Sequence, residues 1–387
     1  MYPIQIHKFF SQLISFFHRF GFWHRGNEAN VRELIVQFIL CFYHLSFVVA
    51  LVIGATRGEN GDQGIFLMEI AVAVGVTNVK LFAMVLKQKQ ILVLINRIGS
   101  FSIKHDEDYN IFNARIESFV KFVKVFMVTF YVVVFFEVGV APFLNNEYTL
   151  FFQIAFPLDW KHNAIYFWIA NIFLGTGVGL SGAPIMFSAT VWYLLLICSS
   201  RYDALANELR NMGRLKEQER VGASNESWNH KVFLQDLISS IDRLLHLRGL
   251  INDVEAFCSF LFFVQLGTSG LCICGSVYAL AFSLGNNLLE FIIHVYILFY
   301  NISEIFMITY FGNEIMLSSQ RLAYSLFASD WIEQPQSTKK ILLIFGEHLK
   351  RSHQLLIAKL YPLTLGTFTS IVRSAYSMFN VLKEMND

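Results

Sequence analysis

Seven stretches of this chain are apolar over about the 20 residues that a helix needs to cross a bilayer. They run over Leu34–Gly54, Ile65–Leu86, Phe119–Val140, Ala164–Ser200, Val254–Phe282, Leu288–Phe311 and Leu363–Leu382. One such run suits a buried core helix of a soluble protein, but seven do not. The fold class expected is therefore all-α: a polytopic membrane protein of seven transmembrane helices. Composition agrees, since only 15% of the 387 residues are charged, against roughly a quarter in soluble domains. Mean hydropathy is +0.49. The fourth stretch is too long for one straight crossing, and Gly175, Gly177, Gly179, Gly182 and Pro184 predict a kink in it. No internal repeat is visible.

Orientation follows from the loops. Lys and Arg crowd into the N-terminal segment and the second, fourth and sixth loops, whereas the opposite side holds little beyond Arg57, Lys161 and Lys383. The positive-inside rule then puts the N-terminus in the cytosol and, after seven crossings, the C-terminus outside. That is the reverse of a G-protein-coupled receptor. MYPIQIHKFFSQLISFFHRF reads as an amphipathic helix on the membrane surface, and it lacks the clean apolar core of a signal peptide. Residues 201–254 are polar with helical periodicity and read as cytosolic extensions of helices four and five. Cys41, Cys198, Cys258, Cys272 and Cys274 all fall in or beside apolar spans, so no disulfide, metal or cofactor is expected. Asn225-Glu226-Ser227 matches a glycosylation sequon but falls on the cytosolic side.

The last apolar stretch is unlike the others. Thr364, Thr367, Thr369, Ser370, Arg373, Ser374, Ser377 and Asn380 lie among its apolar residues. Polar groups at bilayer depth face protein or water, so this helix lines something wet or packs tightly against neighbours. Before it, Gly312-Asn313-Glu314 is expected to interrupt the sixth helix, and a basic helix is expected to run into Tyr361-Pro362.

Several phrases of the C-terminal third occur in combination. They are Tyr310-Phe311-Gly312-Asn313-Glu314, Arg351-Ser352-His353, Pro362-Leu363, Thr367-Phe368-Thr369-Ser370-Ile371 and Tyr376-Ser377-Met378-Phe379. With Phe156-Pro157-Leu158-Asp159-Trp160 before the fourth helix, they resemble the insect odorant receptor family. His353 stands where the family more often carries Gln. No Gln-Phe follows Tyr376, which separates the chain from the sister gustatory receptors.

The resemblance implies a small volatile ligand, a co-receptor subunit and a tetrameric, odorant-gated, non-selective cation channel in the plasma membrane of olfactory neurons. It divides the chain into residues 1–33 as a cytosolic amphipathic N-terminus and 34–311 as helices one to six, with an odorant pocket in the outer half. Residues 312–360 are then a cytosolic anchor, and 361–387 the pore-lining helix and C-terminus. It puts Val381 at the gate, with Met385 one turn on, Ser377 one turn back and Glu384 beside them. The pocket candidates are Phe66, Glu69 and Ala73; Tyr131, Phe135, Val138 and Gly139; Ile169, Phe173 and Gly177; and His294, Tyr296 and Tyr300. Glu137 and Glu304 are ionisable groups in or beside the membrane with no role assigned.

Rival readings are a gustatory-type or G-protein-coupled chemoreceptor, a transporter and a membrane enzyme. A transporter would show inverted repeats. An enzyme would show a clustered catalytic motif, and neither HExxH nor GxSxG occurs. Nothing points to nucleic acid; the remaining partners are permeating cations and membrane lipid.

Overall fold

The computed structural model describes residues 2–26, 29–57, 61–99, 101–103, 106–144, 150–213, 226–282 and 288–384. Helices dominate. In chain order they are α1 (Lys8–Arg19), α2 (Val31–Arg57), α3 (Gly61–Leu86), α4 (Gln88–Ile98), α5 (Asp106–Phe135), α6 (Ala141–Leu144), α7 (Ala164–Leu180), α8 (Gly182–Arg210), α9 (Glu226–Phe282), α10 (Leu288–Phe327), α11 (Gln336–Leu349) and α12 (Leu365–Glu384). Among the described residues six segments are long and apolar enough to cross a membrane, and α12 is a further helix beyond them.

The bundle is built around α8, which is buried along nearly its whole length and packs most extensively on α10. Its Trp192, Tyr193, Leu194, Leu195 and Cys198 have almost no exposed surface. The outer helices instead turn rows of apolar side chains outward. Phe38, Ile39 and Phe42 of α2 and Val125, Val128 and Val132 of α5 form such rows, as a lipid-facing surface requires. The expected kink in the fourth stretch is a break at Ser181, and Pro184 follows in the first turn of α8, where its missing N–H costs no helical bond. Asn163 caps α7 by accepting the Ile165 N–H at 2.9 Å.

Three expectations are corrected. The N-terminal helix α1 does not lie on a membrane with its apolar face in lipid. That face, Phe10, Leu13 and Phe17, is buried in the bundle, with Phe10 stacked on Tyr193 at 3.9 Å between ring centroids. An amphipathic pattern specifies an apolar surround without saying whether lipid or protein supplies it. Second, Gly312-Asn313-Glu314 does not interrupt the sixth helix, because α10 is continuous from Leu288 to Phe327. Gly312 serves a close approach instead: a Cβ there would lie 2.5 Å from the Leu363 carbonyl oxygen. The third span ends at Val140, as expected. A π-helical turn at Phe136–Val140 follows α5 and leads into α6.

Third, the basic helix stops at Leu349 rather than running into Tyr361-Pro362. A short antiparallel pairing of Leu356–Ile357 with Tyr361–Pro362 follows it, turned through Ala358 and Lys359 in left-handed conformation at φ 49° and 60°. This connector is tied down at three points. The His353 N–H donates to Ser319 Oγ of α10 at 2.9 Å, and the Ala358 N–H donates to Ser259 Oγ of α9 at 2.9 Å. The Leu363 N–H donates to the Leu355 carbonyl at 2.8 Å.

At the Lys- and Arg-rich end α8, α9 and α10 run on past the apolar belt. There Arg115 and Arg321 both reach Asp203, at 3.0 and 3.2 Å, and Arg243 grips the carboxylate of Glu208. The five cysteines are buried and unpaired.

Candidate functional site

Among the described residues, two of the polar clusters inside the apolar bundle are built on carboxylates, and each joins helices distant in sequence. The first lies among α3, α9 and α10. Ser276 Oγ donates to one oxygen of the Glu69 carboxylate, while the other oxygen faces His294 Nδ1 at 3.3 Å. Phe66 closes the cluster, its ring 4.8 Å from the imidazole and 5.8 Å from Phe152. All of these side chains are buried. A carboxyl beside an imidazole in apolar walls can hold and orient a ligand's single polar group.

The second cluster is nearer the middle of the bundle. Lys80 Nζ of α3 meets Glu304 Oε1 of α10 at 3.0 Å and donates to Ser188 Oγ of α8 at 2.8 Å. Tyr300 OH donates to the same Glu304 oxygen at 3.2 Å. The second Glu304 oxygen and the side-chain carbonyl of Gln265 are buried without a protein partner. Both residues line a cavity of about 20 Å³, enough for one water.

The predicted pocket set divides. Phe66, Glu69 and His294 are brought together. Tyr300 lies in the second cluster, one turn from Tyr296, whose hydroxyl is buried and unpartnered. Ala73, Val138, Gly139 and Phe173 are half-buried, and Val138 packs on Gly175. Gly177 packs under the Phe47 ring, and Phe173 sits edge-on to Tyr43 at 5.3 Å. Phe135 and Ile169 turn outward, and Tyr131, partly exposed, lays its hydroxyl against Gly182.

Three further groups were missed. Lys80, Ser188 and Ser276 hold the carboxylates. A lysine within the second apolar span is a signal that sequence carries, but its partner more than two hundred positions later is not. Glu137 is buried in the π turn and Glu304 is ion-paired.

On α12 only Ala375 is buried. Arg373, Ser374 and Ser377 are exposed on the helix, as are Val381, at 57%, and Glu384. Met385 lies outside the described residues. Larger clefts among the described residues include one of about 190 Å³ between Arg115 and Glu314 and one of about 360 Å³ among Arg97, Arg201 and Arg243. Neither of these, nor the water-sized cavity, is lined by the Glu69–His294 cluster.

A family model described as 7tm Odorant receptor matches residues 60–376 of the chain. The chain belongs to the odorant receptor family. It is a multi-pass membrane receptor and not an enzyme. Odorant receptor 23a of Drosophila melanogaster is 26% identical over 69% of this chain and 68% of its own length. Odorant receptor 59a of the same fly is 26% identical over 62% of each chain. Among solved structures, the insect olfactory receptor OR5 from Machilis hrabei superimposes with a TM-score of 0.77 over 97% of both chains at 13% identity. The same receptor in complex with eugenol gives a TM-score of 0.76 at 13% identity. At that identity the likeness speaks for the fold: this odorant receptor is a seven-helix membrane bundle.

Proposed function

We propose that the chain is the odorant-tuned subunit of a cation channel, assembled with a co-receptor subunit into a tetramer and opened by a small volatile ligand. The observation that carries this reading is α12. A helix of bilayer length that packs on α9 and α10 through Ala375, Phe368, Ile371 and Phe379, yet turns Arg373, Ser374 and Ser377 outward, needs water or other subunits beside it. A central pore ringed by copies of this helix supplies both. On its exposed face Val381 would close the pore by dewetting, with Ser377 one turn back. Glu384 would favour cations.

The ligand site proposed is the Phe66–Glu69–His294 cluster, with Tyr296 and Tyr300 below it. The other members of the pocket set, Ala73, Tyr131, Phe135, Val138, Gly139, Ile169, Phe173 and Gly177, are its wider surroundings. The relative bound to eugenol supports a ligand of one ring and one or two hydrogen-bonding groups. Burial at about 25 cal/mol per Å² gives so small a ligand roughly micromolar affinity. The orientation proposed is N-terminus inside and C-terminus outside.

Whole-cell recording tests this, with a volatile panel applied to cells expressing the chain with and without an odorant co-receptor. A rapid non-selective cation current only in co-expressing cells is the expected result. Current from the chain alone removes the heteromer. A C-terminal tag reachable only after permeabilisation removes the pore topology.

A further inference from the structure

At the Lys- and Arg-rich end of the bundle, a cleft of about 360 Å³ opens between the α4–α5 connection, α8 and α9. Its volume is in the range of small-molecule sites. Its walls carry Arg97, Arg201 and Arg243, with His246 and Ser102, against the single carboxylate of Glu208. Arg97 is paired with Asp253, and Arg243 with Glu208. Arg201 is different. Among the described residues it has no ion pair: its guanidinium lies 4.8 Å above the Phe101 ring and donates a long hydrogen bond, 3.4 Å, to the Arg97 carbonyl. Leu205, Leu247 and Leu250 complete the lining. The result is a half-buried guanidinium, fixed in direction by stacking and backbone, beside two others whose carboxylate partners already use part of their donor forks.

We infer that this cleft is a binding site for a phosphate-bearing anion, held by Arg201 and completed by Arg243, His246 and Ser102. Guanidinium forks match phosphate oxygens in pairs, and a phosphomonoester's charge of about −1.5 to −2 suits a cleft whose three guanidiniums outnumber the carboxylates of Glu208 and Asp253 beside them. Basic pockets between helices on the cytoplasmic side take phosphorylated lipid headgroups, and a soluble phosphate ester presents the same chemistry. The site is separate from the ligand cluster and from α12. An occupant would cross-link α8 and α9 to the α4–α5 connection.

The test uses the full chain purified in nanodiscs, with thermal unfolding as readout. One arm adds phosphatidylinositol bisphosphate to the bilayer, the second adds soluble inositol trisphosphate to a neutral bilayer, and the third adds phosphatidylserine as a charge control. A rise in melting temperature in the first arm but not the third, abolished in Arg201→Gln, assigns a lipid. A rise in the second arm that is likewise abolished assigns a soluble ester. An equal rise with phosphatidylserine, a rise that survives Arg201→Gln, or no rise in any arm overturns the site. Should Arg201→Gln fail to fold, His246→Gln, at an exposed position, replaces it and is expected to weaken binding several-fold.

Discussion

Lys80 and Glu304 meet at 3.0 Å between α3 and α10, with the carboxylate wholly buried and the ammonium nearly so. Isolated, either charge would be ruinous there. Paired, and hydrogen-bonded to Ser188 and Tyr300, they are tolerable. Removing one partner strands the other. Lys80→Met and Glu304→Met are each expected to destabilise the folded protein by about 3–5 kcal/mol, and the double variant by much less. Thermal unfolding of the four proteins in detergent reads the cycle. Additive losses in the double variant would mean that the pair is not coupled.

Gly312 admits the Leu363 carbonyl against α10. Gly312→Val places carbon where backbone already lies, and backbone cannot rotate away as a side chain does. The expected cost is about 1–3 kcal/mol. Surface labelling of the C-terminus should also fall as the base of α12 loses its seat. An unchanged melting temperature would count against the contact.

His353 gives the protein an acid limit. Tyr202 OH donates to its Nδ1 at 2.7 Å, and its Nε2 lies 3.1 Å from Asn252 Oδ1, so the neutral ring with its proton on Nε2 satisfies both partners. Burial, aided by the nearby Arg248 charge, lowers its pKa from 6.5 to about 4. A folded pKa below the unfolded one means that the unfolded chain binds the extra proton. The contribution is therefore complete above about 6.5 and is lost as pH falls from there towards 4, amounting to on the order of 1–3 kcal/mol. His353→Gln should flatten stability over that window. A variant curve parallel to that of the parent protein would assign the acid sensitivity elsewhere.

Val381 is the proposed constriction. Val381→Ala widens and softens an apolar ring, so resting current without odorant should rise while surface expression stays constant. Ser377→Ala, one turn away on the same face, should alter conductance more than resting current. Equal resting currents in Val381→Ala and the parent channel would place the gate at another level of α12.

The bundle was legible because bilayer thickness leaves few ways to satisfy a backbone, and the apolar runs declare it. The motif region identified the family for a different reason, since residues such as Gly312 answer to a close contact that few side chains fit. What was not legible came from pairings across the bundle. Phe10, Leu13 and Phe17 carry the same spacing whether lipid or Tyr193 covers them. Gly312-Asn313-Glu314 reads as a break in sequence because it is polar, yet one Gly costs a helix about 1 kcal/mol, which a packed 40-residue helix absorbs. Glu69 and His294 were chosen separately, and only the fold puts them face to face. Tyr131, Phe135 and Ile169 were chosen by depth, which says nothing about which way a side chain turns.

The connector between α11 and α12 has a mechanical consequence. A loose linker would let α12 move while the rest stood still. This one is hydrogen-bonded to α9 through Ser259 and to α10 through Ser319, and it closes on itself from Leu363 to Leu355. It behaves as a stiff crank with no slack. A tilt of α9 against α10 would reach the base of α12 through these bonds instead of being taken up in the linker, and in the proposed channel it would turn Val381 towards or away from the pore axis.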